Sequence, residues 1–303
     1  LKLNEYQAVA ALGQIELMNI FKNAFSKKRI NVAQILLTLD DTENRRRSLN
    51  AKDTIRTLHK INILPIVNEN DTTATSEIRY GDNDRLAARV AQITEADTLI
   101  MLSDIDGLFT KNPKKYKDAK IINKITKIDK RITDSATKSL SDYGSGGMIT
   151  KIEAAKICMN TGCNMIISNG LKNNPIKRIN KFKKFTWFVP KTTKVNSKKK
   201  WILSSINTKG ALIVDDGARK ALLSGKSLLP VGIVNFRGFF QRGDTIQVLS
   251  KNFKNIAIGV SAYSSEDISQ IKGLKSEQIK NVLGYSSRGE VIHANNMVIS
   301  ENE

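Results

Sequence analysis

Ile63-Leu64-Pro65-Ile66-Val67-Asn68-Glu69-Asn70-Asp71 is a short apolar run that ends abruptly in carboxamides and carboxylates. A run this short, bounded by polar turn residues, reads as a buried strand whose carboxyl end opens onto a polar site. Working outward, Asn31 to Leu37 is a second apolar run, and Asp40-Asp41 opens a helix predicted through Leu58. Upstream, Val9, Leu12, Leu17, Ile20 and Phe21 recur at helical spacing across residues 5–25. Downstream, Leu86 to Ile93 reads as helix, Thr98 to Leu102 as strand, Met148 to Asn160 as helix and Met165 to Ser168 as strand. Strands alternating with helices at this pace predict an α/β domain with a mainly parallel sheet covered on both faces. Ligands in such sheets gather at the carboxyl ends of the strands. The clusters Asn68 to Asp71 and Ser103-Asp104 fall there.

The alternation stops near Lys181. A basic stretch with Pro190 and Lys198-Lys199-Lys200 reads as a linker. From Gly210 onward, Ala211 to Val214, Gly232 to Val234, Thr245 to Val248 and Ala257 to Val260 form short strand-like runs separated by Gly and Asp turns. The expected organisation is an α/β domain over 1–190, a linker over 191–208 and a small β-rich domain over 209–303.

Composition narrows the chemistry. Hydrophobic residues make up 40% of the chain, enough for a real core. No apolar run has the length to span a bilayer, and the start does not resemble a signal peptide. The net charge of +20 is spread over most of the chain, with one dense patch from Lys181 to Lys200. It is consistent with coding bias towards Lys, and it also favours ligands that carry phosphate. The two cysteines, Cys158 and Cys163, have neither disulfide-framework nor metal spacing and read as reduced thiols of a cytoplasmic protein. His59 and His293 are the only histidines, so a histidine metal centre or a Ser-His-Asp triad is not expected. Carboxylates, lysines and backbone amides are left to carry any catalysis. The first residue is Leu1 and a helix begins almost at once, which leads us to expect a truncated start.

Three clusters supply candidate chemistry. Asn68 to Asp71 pairs with Gly81-Asp82-Asn83-Asp84; each is dense in groups that recognise an ammonium or position a lysine. The second cluster precedes a helix, so Asp82, Asn83 or Asp84 could equally be an N-cap. Tyr143-Gly144-Ser145-Gly146-Gly147-Met148-Ile149-Thr150-Lys151 places glycines before a helix, where backbone N–H groups can approach a phosphate and the helix end adds positive potential. It lacks P-loop spacing and could serve only as a helix-entry turn. Ser103-Asp104, followed by Gly107-Leu108-Phe109-Thr110, lies at the strand end where it can reach a nucleotide.

In this order, Leu64 to Asp71, Gly81 to Asp84, Leu102 to Leu108 and Gly144 to Lys151 resemble the glutamate 5-kinases. Gly210 to Ala218 and Ser227 to Ile233 look like the opening of the PUA domain that many of them carry. The resemblance runs through essentially the whole chain. It implies an amino-acid-kinase-like three-layer sandwich followed by a PUA-like domain. It further implies ATP-dependent phosphorylation of the L-glutamate γ-carboxylate, giving γ-glutamyl phosphate in proline biosynthesis, with Mg2+ held mainly through the nucleotide phosphates. Asn68, Asp71, Asp82 and Asn83 are then expected at glutamate, Asp84 as the holder of catalytic lysines, and Ser103 and Asp104 at the nucleotide. Ser145, Gly146, Gly147, Met148, Ile149, Thr150 and Lys151 are expected around its phosphates, with Lys151 neutralising the group in flight. A carboxylate acceptor is already ionised at neutral pH, so no general base is required. The family also has a Lys-x-Gly-Ser loop and a Ser-Ser-Gly-Ala segment that this sequence lacks. Their absence implies missing N-terminal strands of roughly sixty to seventy residues, one catalytic lysine fewer, and little activity for the chain by itself. A homo-oligomer without membrane contact is expected. The rival readings are another amino-acid-kinase phosphotransferase and an RNA-binding protein, with Lys198, Lys199, Lys200, Arg237 and Arg242 at phosphates.

Overall fold

The computed structural model describes residues 2–73, 82–113, 115–138, 147–182, 184–193, 208–285 and 289–300. The chain divides into two compact units, 1–194 and 195–303. No described helix is long and apolar enough to cross a membrane.

In the first unit, β1 (Asn31–Leu37) and β2 (Ile63–Glu69) pair in parallel, with Ile35 opposite Val67 and Leu37 opposite Glu69. The connection between them is helical, as parallel pairing demands. Where the sequence suggests one helix from Asp40, the structure has α2 (Leu39–Glu43) and α3 (Arg45–Lys60). The break falls at Asn44, whose backbone is extended and whose side chain accepts from the amide of Arg47 at 3.1 Å. A residue that caps one helix cannot also continue the previous one. Likewise Thr38 caps α2 through a reciprocal pair, its hydroxyl accepting from Asp41 N at 3.2 Å while Asp41 Oδ2 accepts from Thr38 N at 2.8 Å.

A four-stranded sheet follows, in the order β3 (Thr98–Ser103), β5 (Asn164–Asn169), β6 (Thr186–Phe188), β4 (Lys124–Ile125). The β3–β5 and β4–β6 pairs are parallel, and β5–β6 is antiparallel. Parallel pairing thus predominates, as expected. The helices are α1 (Leu3–Ser26), α4 (Asp82–Thr94), α5 (Lys130–Lys138), α6 (Gly147–Asn160) and α7 (Pro175–Phe182). The predicted α1 forms, but on an unexpected face. Gln7, Ala10, Gln14, Met18, Phe21 and Phe25 are half-buried at helical spacing, and α1 packs on β1. Val9, Leu12 and Ile20, which were expected inside, are 62%, 70% and 65% exposed.

Two clusters hold this unit together. One joins Leu37, Ala51 and Leu86 to Ile35, Val67, Val90 and Ile93. The larger one centres on Met101, Met165, Ile167 and Phe188, with Ala88 and Ala91 of α4 and Ala154, Ala155 and Cys158 of α6. The alanines leave the α4–α6 contact without bulky side chains, so the helices approach closely. That contact sets the site.

The second unit is a five-stranded sheet, ordered β11 (Met297–Ile299), β10 (Asn255–Val260), β9 (Thr245–Leu249), β7 (Ala211–Val214), β8 (Ile233–Arg237). Only β7–β9 is parallel. Its core contains Leu212, Leu222, Leu228, Phe240, Ile246, Val248, Ile256 and Ile292, all fully buried. The helix α8 (Asp216–Leu223) starts at Asp215, whose Oδ1 accepts from Ala218 N at 2.7 Å.

Candidate active site

Topology explains why distant residues converge. Each of α4 and α6 leads directly into a strand, β3 and β5, and runs back against it. Their N-termini therefore lie at the edge where β3 and β5 end. On α4, Asp84, Ala88 and Ala91 share one helical face; on α6, Lys151, Ala155 and Cys158 do the same. Because the lower parts of those faces pack together, their first turns bring Asp84 and Lys151 into contact.

Lys151 Nζ lies 3.0 Å from Asp84 Oδ2, with side chains 16% and 19% exposed. The Thr150 hydroxyl donates to the same Asp84 oxygen at 2.7 Å. A partly buried carboxylate thus holds an ammonium at the positive end of a helix. Asp84, one of the three residues read from sequence as a possible cap, lies inside the first turn of α4 and not at its cap position. Its carboxylate bridges to the other helix.

Asn68 is half-buried near the end of β2, and its amide donates to Gln14 Oε1 on α1 at 2.7 Å. Asn70 N donates to Leu37 O at 3.0 Å, tying the ends of β1 and β2 together. The Thr72 hydroxyl donates to Asn70 Oδ1 at 2.7 Å, shaping the turn that contains half-buried Asp71. Asn83 is exposed in the first turn of α4. The side chain of Asp82, and all of Ser145 and Gly146, lie outside the described residues.

At the next strand ends, Ser103 Oγ donates to Asp104 Oδ1 at 3.1 Å. Gly170 N donates to Ser103 O at 2.7 Å, and Asn169 Nδ2 donates to Asp104 O at 3.3 Å. A Cβ on Gly170 would meet the Leu102 Cβ at 2.8 Å, so β3 and β5 close to this distance only because position 170 is glycine. At the start of α6, Gly147 and Ile149 are exposed, whereas the Met148 side chain is buried in the core cluster. Only the backbone of Met148 is left to face a ligand.

Sequence reasoning missed Gln14, Asn169 and Gly170. Asn169-Gly170 follows the apolar run Met165 to Ser168 much as Asn68 follows Ile63 to Val67, so the same signal was present. For Gln14, no sequence signal distinguishes it on a helix that carries apolar residues on both its packed and its exposed faces.

In the second unit, Phe240 is fully buried and Phe236 packs edge-on against it at 6.4 Å between centroids. Two of the three phenylalanines near Arg237 are therefore structural. Phe239 is 65% exposed, and Arg237 lies 4.1 Å over the ring of Phe253.

Residues 1–169 match the sequence profile of the amino acid kinase family, and residues 210–283 match that of the PUA domain. The chain is 59% identical over 298 residues to "Glutamate 5-kinase" of Pelagibacter ubique, covering 98% of this chain and 81% of that protein. It is 48% identical over 299 residues to the protein of that name from Paramagnetospirillum magneticum, covering 99% of this chain and 81% of that one. Among solved structures, UMP kinase from Bacillus anthracis is similar over 63% of this chain and 72% of its own, at 13% identity and a TM-score of 0.43. By the family profile and the two sequence relatives, the chain belongs to the amino acid kinase family and, within it, to the glutamate 5-kinases.

Proposed function

We propose that this chain carries out ATP-dependent phosphorylation of the γ-carboxylate of L-glutamate, as a cytoplasmic step on the route to proline, with Lys151 as the cation at the transferring group. The observation that carries the reading is the Lys151–Asp84–Thr150 cluster at the N-terminus of α6, in a chain otherwise close to glutamate 5-kinases.

Phosphoryl transfer brings two anions together and spreads charge over the equatorial oxygens of the migrating group. A glutamate γ-carboxylate oxygen bonds to the γ-phosphorus as the bond from that phosphorus to the β-bridging oxygen breaks, and ADP departs with the electron pair. No proton needs to be moved, which suits a site built without histidine. Catalysis is then positioning and charge neutralisation. Lys151 faces the migrating group, and Asp84 keeps its ammonium from swinging away. The amides that open α6 at Gly147, Met148 and Ile149 supply donors for phosphate oxygens. Ser103 and Asp104 sit where the remainder of the nucleotide is reached. Asp71 and the Asn68 carbonyl complement the glutamate ammonium, and Asn83 offers an amide at the start of α4, where Asp82 also belongs in this reading.

Among the described residues no three His, Cys, Asp or Glu side chains converge as a metal cage. Mg2+ would be carried mainly on the nucleotide, since it is commonly held by one or two carboxylates together with substrate phosphates. When bound, the ion would supply positive charge against the nucleotide phosphates.

The test is a panel of acceptors, namely glutamate, aspartate, N-acetylglutamate, carbamate and UMP, with ADP release measured alongside acyl-phosphate trapping by hydroxylamine. Glutamate should give both signals. A stronger response to UMP or carbamate would assign the chain to another branch of the family. RNA contact is a second reading for the 195–303 unit, favoured by the Arg237–Phe253 stack and exposed Phe239. A salt-dependent RNA mobility shift that Phe253→Ala abolishes supports it. Lys198, Lys199 and Lys200 lie outside the described residues.

A further inference from the structure

We propose that Gln14 is a positioning residue for glutamate, acting through the carboxamide of Asn68. This rests on the reading of Asn68 as a substrate ligand. Asn68 Nδ2 donates to Gln14 Oε1 at 2.7 Å across 54 positions of sequence. That bond fixes which end of the Asn68 amide faces away from α1. With its nitrogen committed to Gln14, Asn68 presents its carbonyl oxygen as the end open to a ligand. An ammonium group has donors only, so it binds an asparagine through that oxygen and not through the amide nitrogen. The orientation of one amide thus decides whether Asn68 attracts or opposes the α-ammonium of glutamate.

The second observation concerns Gln14 itself. Its Nε2 is buried and, among the described residues, has no hydrogen-bond partner. A buried, unpaired N–H2 opposes folding. The other positions on the same stripe of α1 are Gln7, Ala10, Met18, Phe21 and Phe25, most of them apolar. A glutamine at position 14 is therefore poor for stability, and the bond to Asn68 is the benefit that offsets it. A residue that weakens the fold while orienting a ligand group has its effect in binding.

The experiment uses the natural full-length protein. Gln14→Met keeps the volume and removes both the acceptor and the orphan donor. The glutamate KM should rise by roughly five- to tenfold, the range for losing one oriented hydrogen bond. The ATP KM and kcat should stay within about twofold, and the thermal midpoint should change little, because removing the buried unpaired amide offsets the acceptor that half-buried Asn68 Nδ2 loses. In the double variant with Asn68→Ala, the glutamate KM should be no higher than in Asn68→Ala alone, because Gln14 has nothing left to orient. An unchanged glutamate KM in Gln14→Met overturns the proposal, as do multiplicative effects in the double variant. Gln14→Leu, read in the same way, covers poor packing by methionine. Loss of folding in both variants also overturns it, since the orphan amide removed and the acceptor that Asn68 loses are expected to offset one another. If Asn68→Ala leaves the glutamate KM unchanged, it is the substrate reading of Asn68 that fails, and this single variant shows it separately.

Discussion

Replacing Asp84 by Asn removes one negative charge and almost no volume, so it isolates what the carboxylate does. At the 3.0 Å separation from Lys151 the Coulomb attraction is about 5 to 6 kcal/mol at an effective dielectric of about 20. Much of that is offset because both groups regain hydration when apart. The net value of a charge-assisted hydrogen bond, roughly 1.5–3 kcal/mol, is the better guide. If this free energy serves to hold the Lys151 ammonium where charge develops, its loss lowers kcat by about 10- to 150-fold. The nucleotide KM should fall or stay unchanged. Removing a negative charge makes the site more attractive to a polyanion. A fall in kcat with an unchanged or lower ATP KM separates a misplaced lysine from a damaged fold, which lowers kcat and raises KM. The assay is glutamate-dependent ADP release with Mg2+ at saturating ATP, with circular dichroism confirming the fold. A kcat within twofold of the parent, or a loss confined to the ATP KM, refutes the idea that Asp84 positions Lys151.

Three further outcomes follow from the geometry. Gly170→Ala places a Cβ 2.8 Å from that of Leu102 and should destabilise by roughly 1–3 kcal/mol in urea unfolding, with the ATP KM raised more than the glutamate KM because Gly170 anchors Ser103. The neighbouring Cys163 and burial together push the Cys158 thiol well up, so neither buried cysteine should react with an aromatic disulfide reagent at pH 8 until denaturant is added. Burial opposes ionisation of Asp41, but hydrogen bonds from the Thr38 amide and hydroxyl and the Arg47 guanidinium outweigh it and hold the carboxyl below its usual range. Its folded pKa is lowered, so its stabilisation is fully present above the unfolded value near ~3.9 and disappears as pH falls through the folded value. The stability gap between parent and Asp41→Asn should therefore be widest at neutral pH and close below about pH 3.9.

What the sequence disclosed tracks the range of the interaction responsible. Strands β1, β2, β3 and β5 were legible because each is a dense apolar run with a polar stop. Local chemistry alone predicts that pattern. The split of one expected helix into α2 and α3 was not, because Asn44 reads as an ordinary helical residue until its side chain is seen to accept from Arg47. The error in α1 has a different cause. Periodicity places apolar residues on one face, but the face that packs is set by the neighbour available. Here β1 takes the stripe with Gln7, Gln14, Phe21 and Phe25, leaving Leu12 and Ile20 to solvent. The short pieces β4 and β6 carry too few residues for any periodic signal.

The candidate site shows the same division. Asp84 and Lys151 could each be named from sequence, but their 3.0 Å contact rests on a relation between helices that no single segment contains. The relation is nevertheless written in spacing. Small or thiol-bearing residues follow Asp84 at i+4 and i+7, and follow Lys151 at i+4 and i+7, so each charged group occupies the first turn of a face that is smooth for two further turns. Two smooth faces pack closely, and both helices enter strands that end on the same edge. The charges must then meet at the end where both helices begin, and that is also the end at which helix dipoles favour phosphate. Bulk at Ala88 or Ala155 would part the helices and draw Lys151 away from its carboxylate without touching either charge. The packing of α4 on α6 in this sense sets the geometry of the candidate site.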